Sequence, residues 1–421
     1  MRRDQAAWSW TEHLRRGGTT TWAAWVADAG AGSGAGVGVG AGVGAGAGDV
    51  VPADWQAPGA AQLELVRRLA GRPAASPLLV AGAFGRLADV VLQRSAPGRG
   101  MAAAPLAWPA GPPAATRGLG APPADPADVP PAELVRVGVG VLAELLARSP
   151  GPPARARQAR RRPVSRAFAL CGAPVTTDAV RRSLAAAGQV EGGRSPQVVL
   201  LAEPLDAALA QVWSARVQDG VPVRWRGFLD RWARRVAEGT LPPAVDYPAM
   251  AALWAAQVGP ERVHVVAAPA DPDTAAATTA AALGLPAPGR PGRCPTPQWQ
   301  PLSAEGVDVL RRVSAVLGVR VAEREHRHAV RRLAGLLAQR SQHRLAVPAP
   351  HRPWVERCAA EVATALGAGG YAVHGDLDRL VPDADAGVPT GPRARAELGL
   401  VLDACARLAA LELLAGEAEP R

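Results

Sequence analysis

The chain has 421 residues, long enough for two or three compact units with a sizeable core. All 47 cationic residues are arginine, which excludes every chemistry that needs a lysine amine: Schiff bases, a lysine general base, and a lysine on a transferred phosphate. The net charge of +10 suits anionic partners, but the arginines are scattered among Asp and Glu in the pattern of solvated faces, so nucleic acid is an unlikely partner on this reading.

Heavy use of Ala, Gly and Pro beside arginine points to a GC-rich coding bias, which weakens any argument from arginine abundance alone. Aromatics make up only 4% of the chain, so the core is expected to be aliphatic, and 12 of them are Trp. Cys171, Cys294, Cys358 and Cys405 show no paired spacing of a zinc or redox site. The first ten residues have no apolar run behind their arginines, and no stretch of about 18 apolar residues is present to span a bilayer. The expectation is a cytoplasmic protein with reduced thiols, no metal and no membrane partner.

In chain order, residues 1–148 read as a mainly helical N-terminal region. Trp8, Trp10, Trp22 and Trp25 precede a Gly/Ala/Val tract over 29–48 that is expected to be a flexible loop. Apolar residues at helical spacing predict helices over 62–69 and 132–147, separated by a Pro/Gly-rich loop over 96–131. Gly17-Gly18-Thr19-Thr20-Thr21 reads as a turn, since no strand precedes it. A basic linker with Arg155, Arg157, Arg160, Arg161 and Arg162 occupies 149–163 and is the best domain boundary.

The next segment, 164–300, changes character. Short apolar runs at 167–170, 198–201 and 263–267 alternate with amphipathic runs at 177–187, 205–216, 228–237, 250–258 and 272–283. Strands alternating with helices of this length predict an α/β unit with a parallel sheet, whose ligands sit at the carboxyl ends of the strands. Residues 301–421 read as a helical C-terminal region with helices over 305–317, 324–340 and 394–414, and a turn at Gly369-Gly370 leading into 371–378.

The segment Gly172-Ala173-Pro174-Val175-Thr176-Thr177 joins the first strand to its helix. Such a junction aims backbone N–H groups and the positive end of a helix at one point, where an anion is favoured, although the same residues also make an ordinary turn and N-cap. Together with Val198 to Leu205, Trp225-Arg226-Gly227-Phe228-Leu229, Gly259 to Val266, His351-Arg352-Pro353-Trp354 and Gly369 to Asp378, this segment resembles the bacterial sulfotransferase-like family. The resemblance covers roughly residues 164–380 and implies a sheet of P-loop/sulfotransferase type with phosphoadenosine phosphosulfate as donor. Gly172, Pro174, Thr176 and Thr177 are then the remnants of the donor-binding loop.

The departures carry equal weight. The family's loop lysine is replaced by Val175, and its arginine and serine for the donor's 3′-phosphate are replaced by Glu203 and Gln211. Two unit charges about 4 Å apart interact by about 4 kcal/mol at an effective dielectric near 20, so a carboxylate in place of the arginine turns attraction into repulsion. The stretch between Thr177 and Val198 is also shorter than the family's segment that carries the general base. The expectation is a divergent member without sulfuryl-transfer activity, acting as a binding or structural protein, with no bound cofactor. Two alternatives stay open: an active transferase with a different small anionic donor, and a nucleic-acid-binding module using the basic linker and the 324–344 helix.

For individual residues, Glu203-Pro204 reads equally as a helix-capping pair or as a special site. His264 reads as a satisfied core residue, and His326 and His328 point to different faces of one helix. Asp376 and Asp378 read as loop or solvent residues, or as neighbours on one strand face.

Overall fold

The computed structural model describes residues 3–31, 51, 55, 57–72, 81–93, 104–107, 123–148, 167–193, 195–267, 272–286, 297–338, 345–382 and 392–417. The basic linker, most of the 29–48 tract and most of the 96–131 loop lie outside these residues. Contacts divide the chain into two compact units, one of residues 1–150, 319–321 and 393–421, the other of 151–318 and 322–392. The 301–421 segment is therefore shared between the units, and it carries a strand of the sheet as well as helices.

The first unit is built from α1 (Arg3–Arg15), α2 (Trp22–Ala31), α3 (Ala60–Ala70), α4 (Ala81–Gln93), α5 (Pro131–Arg148) and α14 (Ala394–Glu417). Helix α5 buries an aliphatic face that includes Leu134, Val135, Leu142 and Leu146. It packs on α14 closely enough that a Cβ on Gly138 would stand 2.4 Å from Val401 Cγ1, which is why the sequence breaks a helical valine run with glycine. Trp10 and Trp22 are buried with ring centroids 5.1 Å apart, and their indole N–H groups donate to the carbonyls of Thr20 and Ala107. Glu64, also buried, accepts from both Arg67 and Arg68. The Gly17-Gly18 pair closes α1 by donating to the Leu14 and His13 carbonyls, the turn expected of it.

The second unit is the α/β part. Strands β1 (Ala167–Gly172), β2 (Val190–Glu191), β3 (Gln197–Ala202), β4 (Val263–Ala267) and β5 (Ala372–His374) form a wholly parallel sheet in the order β2-β1-β3-β4-β5. Helices α6 (Pro174–Ala186), α7 (Leu205–Gln218), α8 (Trp225–Ala237), α9 (Tyr247–Val258), α10 (Pro272–Ala282), α11 (Ala304–Leu317), α12 (Glu323–Leu337) and α13 (Arg352–Ala368) surround it. Phe168, Leu170, Val199, Leu201 and Val266 pack with Val180 and Leu184 of α6 and Ala275, Ala276 and Ala280 of α10 in one cluster. The alternate residues Val198, Leu200 and Val265 are also fully buried, as a parallel sheet covered on both faces requires.

The chain leaves β1 toward β2 on one side and β3 toward β4 on the other. The crevice between the carboxyl ends of β1 and β3 is thus the topological switch point, the default ligand position of a doubly wound sheet. Gly172 pairs there with Leu201, and Glu203 follows one residue after β3.

Candidate functional site

The switch point brings Gly172, Pro174, Thr176 and Thr177 together with Glu203, Gln211 and Tyr247. Helix α6 begins with Ala173 as N-cap and Pro174 in its first turn. Alanine has no oxygen to offer the first N–H groups of the helix, so the cap must come from elsewhere. Gln211, on α7, supplies it: its Oε1 accepts from Val175 N and Thr176 N, both at 3.1 Å. The amide nitrogen of the same side chain donates to Thr176 Oγ1 at 3.1 Å and to Glu203 Oε2 in a short hydrogen bond. Thr177 N is already committed to the Ala173 carbonyl.

One neutral side chain therefore satisfies the N–H groups that would otherwise face an anion, and turns its donor end toward the carboxylate. Glu203 is 1% exposed and its backbone N–H donates to Tyr247 Oη at 3.2 Å. Pro204, the N-cap of α7, makes no side-chain capping bond, and the Glu203 carboxylate is engaged with Gln211. Tyr247 is brought into place by a sequence-encoded helix start: Asp246 accepts from Ala249 N at 3.2 Å, and Pro248 fits the first turn. Burial, and after it the charge of Glu203, hold the Tyr247 hydroxyl well above its ordinary pKa.

Gly172 has φ +141, and a Cβ there would lie 2.4 Å from the Leu201 carbonyl oxygen. The close approach of β1 to β3 explains this glycine without any phosphate. Cys171 donates to the Val199 carbonyl at 3.7 Å, and burial, then the charge of Glu191, push its thiol up to about 12, which makes it a poor nucleophile. Asp178, just inside α6, is held by Arg182 Nε at 3.3 Å and by Gln298 N at 3.0 Å. The site thus contains a capped helix end, a buried carboxylate bound by an amide and two hydroxyl-bearing threonines. Among the described residues it has no thiolate or imidazole to act as base.

Compared with protein-family models, curated proteins and solved structures, the chain matches none.

The other titratable residues singled out by sequence lie elsewhere. His264 stands at the opposite end of its strand; its Nδ1 is 3.2 Å from His374 Nε2 and its Nε2 is 2.9 Å from Gln197 Oε1. Burial, then His374, lower its pKa. His326 Nε2 bonds Ser314 Oγ at 3.0 Å. Asp376 caps a short 3-10 turn by accepting from Asp378 N at 3.0 Å, so the two aspartates belong to a turn beyond β5 and not to a strand face. Among the described residues no group of three or more His, Cys, Asp and Glu side chains converges as a metal site, and no helix is long and apolar enough to cross a membrane.

Sequence reading placed Glu203 and Gln211 at the site but missed that they bond each other, and missed Tyr247 altogether. The Asp-Tyr-Pro helix start at 246–248 was the available signal for the latter.

Proposed function

We propose that this chain is a divergent sulfotransferase-like protein without sulfuryl-transfer activity, whose α/β unit serves as a binding or structural element. The observation that supports this reading is Gln211 Oε1 at 3.1 Å from both Val175 N and Thr176 N. A helix N-terminus attracts an anion because its N–H groups are unsatisfied; here the protein's own amide fills that role.

Two further features point the same way. A donor bearing a 3′-phosphate would have to approach the Glu203 carboxylate in a chain that has no lysine to offset the repulsion. Sulfuryl transfer also needs a base for the acceptor hydroxyl and cations for the developing charge, whereas among the described residues the start of α6 is bonded by the neutral Gln211, whose amide in turn holds Glu203. The finer fold type, that of P-loop sulfotransferases, belongs to the same proposal and rests on the resemblance of residues 164–380.

Calorimetric titration of adenosine 3′,5′-bisphosphate into the full chain tests the reading. The expected result is no saturable heat; stoichiometric micromolar binding that Thr176→Ala abolishes would overturn it.

A further inference from the structure

Arginine abundance alone means little in this chain, but its neutralisation is uneven. In several described helices arginines meet a carboxylate three or four residues away: Arg67 and Arg68 with Glu64, Arg136 with Glu133, Arg148 with Glu144, Arg182 with Asp178, Arg311 and Arg312 with Asp308. In the described part of the 324–344 segment, the expected basic patch, Arg327 pairs with Glu323 four residues away and Arg331 with the distant Asp219.

Helix α8 is different. Its N-cap Arg224 and its residues Arg226, Arg231, Arg234 and Arg235 are all exposed, and none of the five makes an ion pair among the described residues. Within the helix the carboxylate is Asp230, which lies 3.2 Å from His351 Nε2, and Glu238 follows as the C-cap. At about 100° per residue, Arg224, Arg231 and Arg235 fall on one stripe that borders Phe228, while Arg226 and Arg234 lie about 80° apart on the rest of the exposed face with Asp230 between them.

We propose that this face of α8 binds the phosphodiester backbone of nucleic acid without reading its sequence. From Arg224 to Arg235 the helix extends about 17 Å, the axial rise of about five nucleotides of one strand, and the five guanidiniums, spread along that length and around about half of the helix, suit the repeated phosphates of a nucleic-acid backbone and converge on no single anion. A lipid surface fits less well. The apolar residues Phe228, Leu229 and Trp232 are at most 1% exposed, so the helix has no free apolar face to sink between headgroups. Trp232 also lies under Arg235, whose Cζ is 5.2 Å from the ring centroid, and this contact holds that guanidinium at the surface. The inference is independent of the sulfotransferase reading.

The test is fluorescence anisotropy of a labelled mixed-sequence DNA duplex with the full chain between 50 and 200 mM KCl. The expected plot of log affinity against log salt has a slope of about −4, because each neutralised phosphate contributes about −0.9. Arg226→Gln with Arg234→Gln should reduce that slope by about 2, whereas the same two positions changed to Lys should retain it. Replacing Arg155, Arg157, Arg160, Arg161 and Arg162 by Gln must leave the effect of the α8 variants in place. No binding at 50 mM KCl, a slope indifferent to the α8 variants, equal competition by polyglutamate, or a preference for phosphatidylserine vesicles over DNA would each overturn the proposal.

Discussion

Gln211 caps the helix that carries Thr176: its Oε1 accepts the Thr176 N–H and its Nε2 donates to the Thr176 hydroxyl, both at 3.1 Å. This reciprocal bond, made between α7 and α6 across the switch point, replaces the cap that Ala173 cannot provide. It also gives the buried Glu203 a donor.

Removing that amide should therefore cost more than an ordinary surface truncation. Gln211→Ala is expected to lower stability by about 2–3 kcal/mol, the sum expected for a lost N-cap and a buried carboxylate stripped of a donor. Urea denaturation checks this. Gln211→Glu keeps the capping oxygen but sets a second carboxyl against Glu203, so its destabilisation should be larger at pH 7 than at pH 4. A pH-independent cost would argue against the contact.

Gly172→Ala addresses what the glycine is for. With φ +141 and the Leu201 carbonyl 2.4 Å from the position of a Cβ, the substitution should cost about 3 kcal/mol or more, or leave the chain insoluble. A thermal midpoint unchanged by the substitution would contradict the packing account of this residue.

Tyr247 makes a prediction on the alkaline side. Its folded-state pKa is raised, so above about pH 10 the unfolded chain loses a proton that the folded chain keeps. Stability should then fall by about 1.4 kcal/mol per pH unit from this group, present in full below pH 10 and lost as pH rises. Tyr247→Phe should remove that component of the slope while costing about 1–3 kcal/mol at neutral pH, because the buried Glu203 N–H loses its acceptor. Urea midpoints between pH 8 and 11 measure both effects.

The thiols give a simpler readout. Burial pushes Cys171 and Cys405 up to about 12 and also raises Cys358. In a Cys294→Ser chain, Ellman's reagent at pH 8 should therefore react slowly with the native protein and fully in denaturant. Rapid reaction of Cys171 in the native state would contradict its burial on β1, where it donates to the Val199 carbonyl.

The α/β class was legible because period and length separate strands from helices: the apolar run at 263–267 is β4 as expected, and the run at 198–201 lies within β3. Strand β2 was not legible, since two residues, Val190 and Glu191, carry no period. Helix α4 was missed because Gly82 and Gly85 interrupt its apolar stripe, which burial against α3 and α14 compensates. The start of α6 was placed too late, at 177, because Pro174 and the two threonines look like a turn while they form its first turns. At the site, Glu203 and Gln211 stood out by their charge and size, but their partnership is a matter of three-dimensional register. Nothing in a single sequence says that a residue just after β3 and one on α7 will share a hydrogen bond over the end of a third element.

Gln211 holds the position at the start of α6 that an anion would take. A crystal structure grown with millimolar adenosine 3′,5′-bisphosphate tests it most directly. Gln211 Oε1 should remain on Val175 N and Thr176 N with no nucleotide between β1 and β3; a phosphate oxygen on those two N–H groups, with the Gln211 side chain turned away, would contradict it.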